Sequence, residues 1–333
     1  MKIAVLGLGM WGFCLARLLA LNGHRVVGWS IEKEMLARLQ KGEDHPSLKR
    51  SSRGLSLDYT PSLEEAIMES DLIVESVTTR GLRQVLQTTK GFLPALQKPL
   101  VLTSKGIEQK SYLPTPLIVT DVFGKEAQPF VALISGPSFA AEVSRGLPTA
   151  VVCGAWSEEL CSCVIDVFSS KTFRVYPNKD ICGVALGGAL KNVVAIACGV
   201  AHGLQLGTGA VAALITRGLH EIVKFISSQG CDWKTVYGLS GLGDLYLTCS
   251  SSESRNFRFG ELLSAGLSRQ EAEKEVGMVV EGAYTCRAAV EIAHREGIVM
   301  PIAEAVFDIL EGSLGVKDCV DRLMLRSVKE EHL

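Results

Sequence analysis

Gly7-Leu8-Gly9-Met10-Trp11-Gly12 is the stretch on which the fold turns. It follows a short apolar run, Lys2 to Leu6, that reads as a strand. It opens a helical stretch, Trp11 to Asn22, which Gly23 ends as a C-terminal cap. Alone, a Gly-x-Gly-x-x-Gly run is a weak signal. Between a strand and a helix, at the first βα turn, it stands where a dinucleotide pyrophosphate is bound. Gly7 would permit the tight turn, Gly9 would let phosphate approach the backbone, and Gly12 would let helix and strand pack closely. The helix amino end adds unpaired N–H groups and a positive dipole. The competing reading is a glycine turn of purely structural use.

Further along, apolar strands keep alternating with helical stretches. Strands are expected at 25–29, 71–77, 100–103, 130–135, 149–153 and 172–176. Helices are expected at 32–41, 63–69 and 81–89, the second introduced by Ser62 with Glu65 three residues on. Residues 42–57 read as a polar loop. Alternation of this kind predicts an α/β Rossmann-type, doubly wound parallel sheet. Beyond Pro177 strand signals nearly vanish, and helices are expected at 184–202, 210–228, 255–264, 285–295 and 302–312. The expected organisation is a dinucleotide-binding domain at 1–178 and an all-α substrate and catalytic domain at 179–333, ending in a loose polar tail at 329–333. There is no internal repeat.

The 333 residues carry 34 Lys and Arg against 36 Asp and Glu, a formal charge of −2. That balance gives no basic footprint for nucleic acid. With 47% hydrophobic and 21% charged residues, disorder is a poor fit. Ten cysteines contain no Cys-x-x-Cys, and the six histidines never stand at metal-ligand spacing with them, so no metal is expected. Reduced, buried thiols in a cytoplasmic protein fit better than a disulfide framework. The apolar start competes as a signal peptide, but patterned glycines and Arg17 argue against one. Residues 183–204 are apolar enough to suggest a membrane span, except that Lys191 and Asn192 interrupt the centre. A central lysine costs about 2.5–3.5 kcal/mol on insertion. The expectation is therefore a buried helix, no membrane insertion, and an ammonium that needs a reason to be there.

The adenosine ribose of a dinucleotide calls for an acid about 20 residues past the glycines. Glu32 lies 32 − 12 = 20 beyond Gly12. A carboxylate there repels the 2′-phosphate of NADP, whereas the adjacent Lys33 argues the other way, and Glu32 also suits a first-turn helix acid. The choice between NAD and NADP stays open.

The later blocks are more specific. Ser104-Lys105-Gly106-Ile107-Glu108 is followed by Ser135-Gly136-Pro137-Ser138-Phe139-Ala140 and by Gly187-Gly188-Ala189-Leu190-Lys191-Asn192. Then come Ile215-Thr216-Arg217-Gly218, Gly241-Leu242-Gly243-Asp244-Leu245 with Thr248, Ser254-Arg255-Asn256, and Val279-Val280-Glu281-Gly282. In this order, from residue 3 to about 312, the chain resembles the bacterial NAD(P)-dependent glycerol-3-phosphate dehydrogenases. It departs from many relatives at Ser30-Ile31-Glu32, at Glu75-Ser76-Val77-Thr78-Thr79, and at Ala185.

The resemblance implies reversible hydride transfer between a nicotinamide cofactor and dihydroxyacetone phosphate or sn-glycerol 3-phosphate, supplying phospholipid synthesis. Lys191 becomes the candidate acid and base, since burial and a neighbouring cation favour its neutral amine. The resemblance supplies Lys105 as that cation, touching substrate and cofactor. Asp244 is placed near the substrate, where it would orient Lys191 with help from Thr248; the competing role is a helix N-cap. Asn192 faces either a ligand or a buried backbone group. Ser254, Arg255 and Asn256 at a helix amino end suit a substrate phosphate, and Arg255 is also carried over as a cofactor contact. Gly136 and Ser138 are expected at the substrate. Gly7, Gly9, Met10, Trp11, Gly12, Glu32, Ala140, Val279 and Glu281 are expected at the cofactor. Competing functions are a related hydroxy-acid dehydrogenase and a dinucleotide-sensing protein without turnover. An apolar helical domain is compatible with a homodimer.

Overall fold

The structure is a computed structural model that describes residues 1–327 and 330. The expected tail at 329–333 lies, Glu330 apart, outside the described residues. Up to Asn178, short apolar runs become strands: β1 (Lys2–Leu6), β2 (Arg25–Trp29), β3 (Leu57–Thr60), β4 (Leu72–Glu75), β5 (Leu100–Leu102), β6 (Val131–Ser135), β7 (Thr149–Ala155) and β8 (Phe173–Asn178). Between them lie α1 (Met10–Leu21), α2 (Lys33–Gln40), α3 (Leu63–Met68), α4 (Thr79–Phe92), α5 (Thr115–Phe123), α6 (Ala140–Ser144) and α7 (Glu158–Phe168). They form one eight-stranded sheet in the order β3-β2-β1-β4-β5-β6-β7-β8. The chain reverses direction across the sheet beside β1, the place where doubly wound sheets bind ligands at their carboxyl edge. Buried Ile3, Val5, Phe13, Leu15, Leu19, Phe168 and Phe173 belong to the core.

Two expectations need correction here. The sheet is not wholly parallel, because β7 runs antiparallel to β6. The only helix between them, α6, has 5 residues. At about 1.5 Å per residue it is too short to carry the chain back along the sheet, so β7 starts from the edge where β6 ended. Residue 57, assigned to a loop, begins β3, whose sequence Leu57-Asp58-Tyr59-Thr60 is too short and polar to stand out.

The later helices are α8 (Ile181–Gly203), α9 (Thr208–Ser228), α10 (Asp244–Cys249), α11 (Arg255–Ser264), α12 (Arg269–Val276), α13 (Glu281–Glu296), α14 (Pro301–Glu311) and α15 (Val316–Met324). The most apolar is α8, with a mean hydropathy of 1.8 over its 18-residue window. That window is 94% buried inside the protein, so core packing accounts for its composition.

Two units emerge: Met1–Ser104 with Thr115–Cys182, and Lys105–Pro114 with Gly183 onward. A division at 178/179 does not capture this, because residues 105–114 leave the first unit. Ile107 pairs with Pro114 in an antiparallel bridge and is buried in the helical core. Element alternation along the chain carries no information about such an excursion.

Candidate active site

In the first unit, β1 ends at Leu6 and Gly7 turns with φ +96, a backbone region that disfavours a side chain. A Cβ on Gly7 would stand 2.7 Å from the Ser76 carbonyl oxygen. A Cβ on Gly12 would stand 1.9 Å from the Gly7 carbonyl oxygen, so the turn and α1 can meet only without one. Gly9 differs: nothing lies within 4 Å of the position its Cβ would take. Gly9 is also the N-cap of α1 and offers no side-chain acceptor, so no N-cap side chain occupies the amino end of the helix. Two glycines are required by close packing and the third leaves room, which fits a dinucleotide pyrophosphate.

Glu32 is exposed just past β2, at the N-cap of α2, and its side chain makes no capping bond. Its backbone N–H donates to Ser30 Oγ at 3.1 Å. Gly136, at the end of β6, has φ +144, and Ser138 Oγ donates to its carbonyl at 3.0 Å. Ala140 opens α6, where its carbonyl accepts from Cys14 Sγ at 3.3 Å.

Two residues that sequence reasoning did not single out support the glycine turn. His45 is buried and stacks on Phe13, with ring centroids 4.9 Å apart. Its Nδ1 accepts from Leu48 N–H at 3.1 Å, so Nε2 carries the proton and donates to the Leu8 carbonyl at 3.1 Å. Burial lowers its pKa, keeping the ring neutral. Glu75, the last residue of β4, is buried with its carboxylate turned onto the neighbouring backbone. Neither residue has a local sequence motif that announces it.

In the second unit, Lys191 lies near the middle of α8 and is only 7% exposed. Its Nζ donates to Asp244 Oδ1 at 2.8 Å and to Thr248 Oγ1 at 2.6 Å. Thr248 Oγ1 in turn donates to the Asp244 carbonyl oxygen at 2.6 Å. Lys105 Nζ donates to the other Asp244 oxygen, Oδ2, at 2.6 Å. One buried carboxylate thus bridges two ammonium groups. Asp244 opens α10 without capping it; the N-cap position belongs to Gly243. Burial first, and then Lys105, pull the Lys191 pKa down to about 8 against the opposing pull of Asp244. Burial alone would raise the Asp244 carboxyl, but Lys105 and Lys191 together hold it below the usual carboxylate range.

Around the start of α11, Ser254 Oγ accepts from Phe257 N–H at 3.2 Å as an N-cap. Asn256 Nδ2 donates to Asn192 Oδ1 at 2.9 Å, and Asn256 Oδ1 accepts from Gly282 N–H at 3.0 Å. Asn192 and Asn256 therefore form a buried amide chain that ties α8, α11 and α13 together. Arg255 reaches toward the Val279 carbonyl at 3.5 Å. Burial lowers its pKa, while the Glu281 carboxylate pulls the other way. Lys105, Lys191, Asp244 and Thr248 form one cluster, and Ser254, Arg255, Asn256, Val279 and Glu281 gather at the α11 and α13 amino ends. Among the described residues no group of three His, Cys, Asp or Glu side chains could hold a metal ion.

Fold and side chains together define a class: two-unit, Rossmann-fold dehydrogenases with a helical second unit. Residues 2–161 match the family model described as the NAD-dependent glycerol-3-phosphate dehydrogenase N-terminus, and 180–321 match that of its C-terminus. The chain belongs to the NAD-dependent glycerol-3-phosphate dehydrogenase family. It is 49% identical over 333 residues to the NAD(P)+ glycerol-3-phosphate dehydrogenase of Protochlamydia amoebophila, covering 100% of this chain and 99% of that one. The protein of the same name from Chlamydia felis is 46% identical over 332 residues, again covering 100% and 99%. A crystal structure of glycerol-3-phosphate dehydrogenase from Coxiella burnetii superposes with a TM-score of 0.90 at 35% identity, covering 98% of this chain and 99% of that chain.

Proposed function

We propose that this chain catalyses reversible hydride transfer between a nicotinamide dinucleotide and C2 of the dihydroxyacetone phosphate and sn-glycerol 3-phosphate pair. The bound nicotinamide supplies the hydride in reduction and receives it in oxidation. In reduction the Lys191 ammonium gives a proton to the carbonyl oxygen at C2. In oxidation its neutral amine takes the proton of the C2 hydroxyl. Asp244 and Thr248 hold Nζ in place, so a remaining position on nitrogen can face the substrate oxygen. Lys105 both neutralises Asp244 and weakens the hold of Lys191 on its proton. Arg255, with the amino end of α11, is the seat for the substrate phosphate, and Asn256 keeps that helix start in register with α8. Gly136 and Ser138 complete the substrate set. Gly7 to Gly12, Glu32, Ala140, Val279 and Glu281 form the cofactor set, with Lys105 and Arg255 serving both. In this reading residues 1–178 supply most of the cofactor contacts and the later helices supply the acid and base. The same proposal includes a cytoplasmic homodimer that feeds glycerol 3-phosphate into phospholipid synthesis.

The observation that carries this reading is Lys191, buried and held between Asp244 and Thr248 with a pKa of about 8. The test mixes the protein with dihydroxyacetone phosphate and either NADH or NADPH, and follows nicotinamide absorbance. Ketone-dependent consumption is expected. Lys191→Met should bind cofactor normally and lose about 10²–10⁴-fold in turnover. Near-normal turnover in that variant removes Lys191 from the chemistry.

A further inference from the structure

Glu75 is 1% exposed and ends β4, the strand beside β1 in the sheet. Its backbone is paired in register with Leu6, the residue before the glycine turn, and with Leu102 on β5. The side chain folds back onto the two chain segments that leave these strands. Oε1 accepts from Val77 N–H at 2.8 Å. Oε2 accepts from Ser104 Oγ at 2.9 Å, and the N–H groups of Thr103 and Ser104 point at the same oxygen from 3.4 and 3.5 Å. Thr103 Oγ1 closes the arrangement by donating to the Glu75 carbonyl at 2.8 Å. These donors are neutral hydroxyl and backbone groups. A carboxylate buried among them is costly to place, and it accepts more donors than a smaller or apolar side chain could.

The segment it pins is the one on which the glycine turn rests. The closest approach to Gly7 is by the Ser76 carbonyl, with Val77 Cγ1 next at 3.1 Å from the Cβ position. On Gly12, the Cβ position is 3.0 Å from Ser76 Cβ. A shift of Ser76 or Val77 by a few tenths of an ångström would therefore open or crowd the turn that receives the pyrophosphate. We infer that Glu75 is a positioning residue for the dinucleotide cradle: its carboxylate fixes the 76–77 backbone against Gly7 and Gly12 and so sets cofactor affinity without touching the cofactor. This rests on the dehydrogenase reading above only in naming the cofactor as a nicotinamide dinucleotide.

Full-length wild type, Glu75→Val, Glu75→Gln and Ser104→Ala would be compared. The readouts are calorimetric binding of NADH and NADPH, hydrogen exchange at residues 76–77 without cofactor, thermal midpoint, and separate KM values for cofactor and ketone. Losing the acceptor should raise the cofactor Kd of Glu75→Val about tenfold and speed exchange at Val77. The cofactor KM should rise with it, while the KM for dihydroxyacetone phosphate stays within about twofold. Glu75→Gln keeps an oxygen for Val77 N–H and should recover most of the affinity. Ser104→Ala removes one donor and should fall between Glu75→Gln and wild type. If Glu75→Val does not fold, Glu75→Gln and Ser104→Ala decide: cofactor affinity and Val77 exchange equal to wild type in both overturn the inference. A lowered thermal midpoint with unchanged cofactor Kd also overturns it, since that is the signature of structure alone. Wild type that binds neither dinucleotide overturns the functional reading as well; variants that match a binding wild type overturn only the role of Glu75.

Discussion

In water a lysine keeps its proton up to about pH 10.4. Inside α8, burial and the nearby Lys105 bring Lys191 to about 8, where ammonium and amine coexist near neutral pH. With Lys191 as the proposed acid and base, the two reaction directions titrate oppositely. Reduction needs the ammonium and should fall as pH rises through about 8, whereas oxidation needs the amine and should rise over the same interval. Asp244 favours the charged form, so Asp244→Asn should lower the Lys191 pKa further and move both limbs to lower pH. Rate–pH profiles of kcat in each direction check this; limbs that stay in place would mean another group controls the rate. Glu32 makes a second residue-scale case. Its carboxylate is not spent on capping α2 and should repel a ribose 2′-phosphate. Glu32→Gln should raise the NADPH-to-NADH ratio of kcat/KM by about three- to tenfold. An unchanged ratio would leave Glu32 as a plain helix-start acid.

At the scale of elements, the glycine turn sets the start of α1, and the 105–114 excursion sets the position of Lys105. α1 can start directly beside β1 only because Gly12 has no side chain. Gly12→Ala should weaken cofactor binding at least about tenfold and lower the thermal midpoint, as calorimetry and a melting curve would show, because the intruding methyl meets backbone rather than a flexible side chain. The excursion carries Lys105 to Asp244 and is secured by Ile107, which is 2% exposed. Ile107→Ala should cost about 2–5 kcal/mol in urea unfolding. It should also reduce turnover more than cofactor binding, because Lys105 loses its anchor. Strand β1, the first glycine turn and α8 were all legible beforehand, since each is written in contiguous residues. The excursion and the antiparallel β7 were not, because both depend on where the chain goes between elements.

Across the whole molecule, all ten cysteines are free. Cys163, Cys182 and Cys231 are half-buried and the remaining seven are buried. Burial pushes the Cys14 thiol up to about 12 and Cys182 up to about 11. Reductant should therefore leave the thermal midpoint unchanged. A thiol reagent should modify at most three cysteines in the native protein and all ten after denaturation. Rapid modification of more than three would contradict the packing described.

Local chemistry and periodicity alone determined the Rossmann-type sheet, its glycine turn, the helical second half and the burial of Lys191, because backbone conformation and amphipathic patterning are properties of neighbouring residues. Family motifs in the sequence named the reaction. Only the tertiary structure decided that Asp244 bridges Lys105 and Lys191 rather than capping its helix, and that Asn256 is held by Asn192 and Gly282. It alone brought Glu75 onto the turn beside Gly7. Those partners stand 26 to 139 positions apart, or meet only through the sheet. Hydrogen bonding and desolvation act through space, and the linear pattern carries no record of which distant groups will share a buried carboxylate.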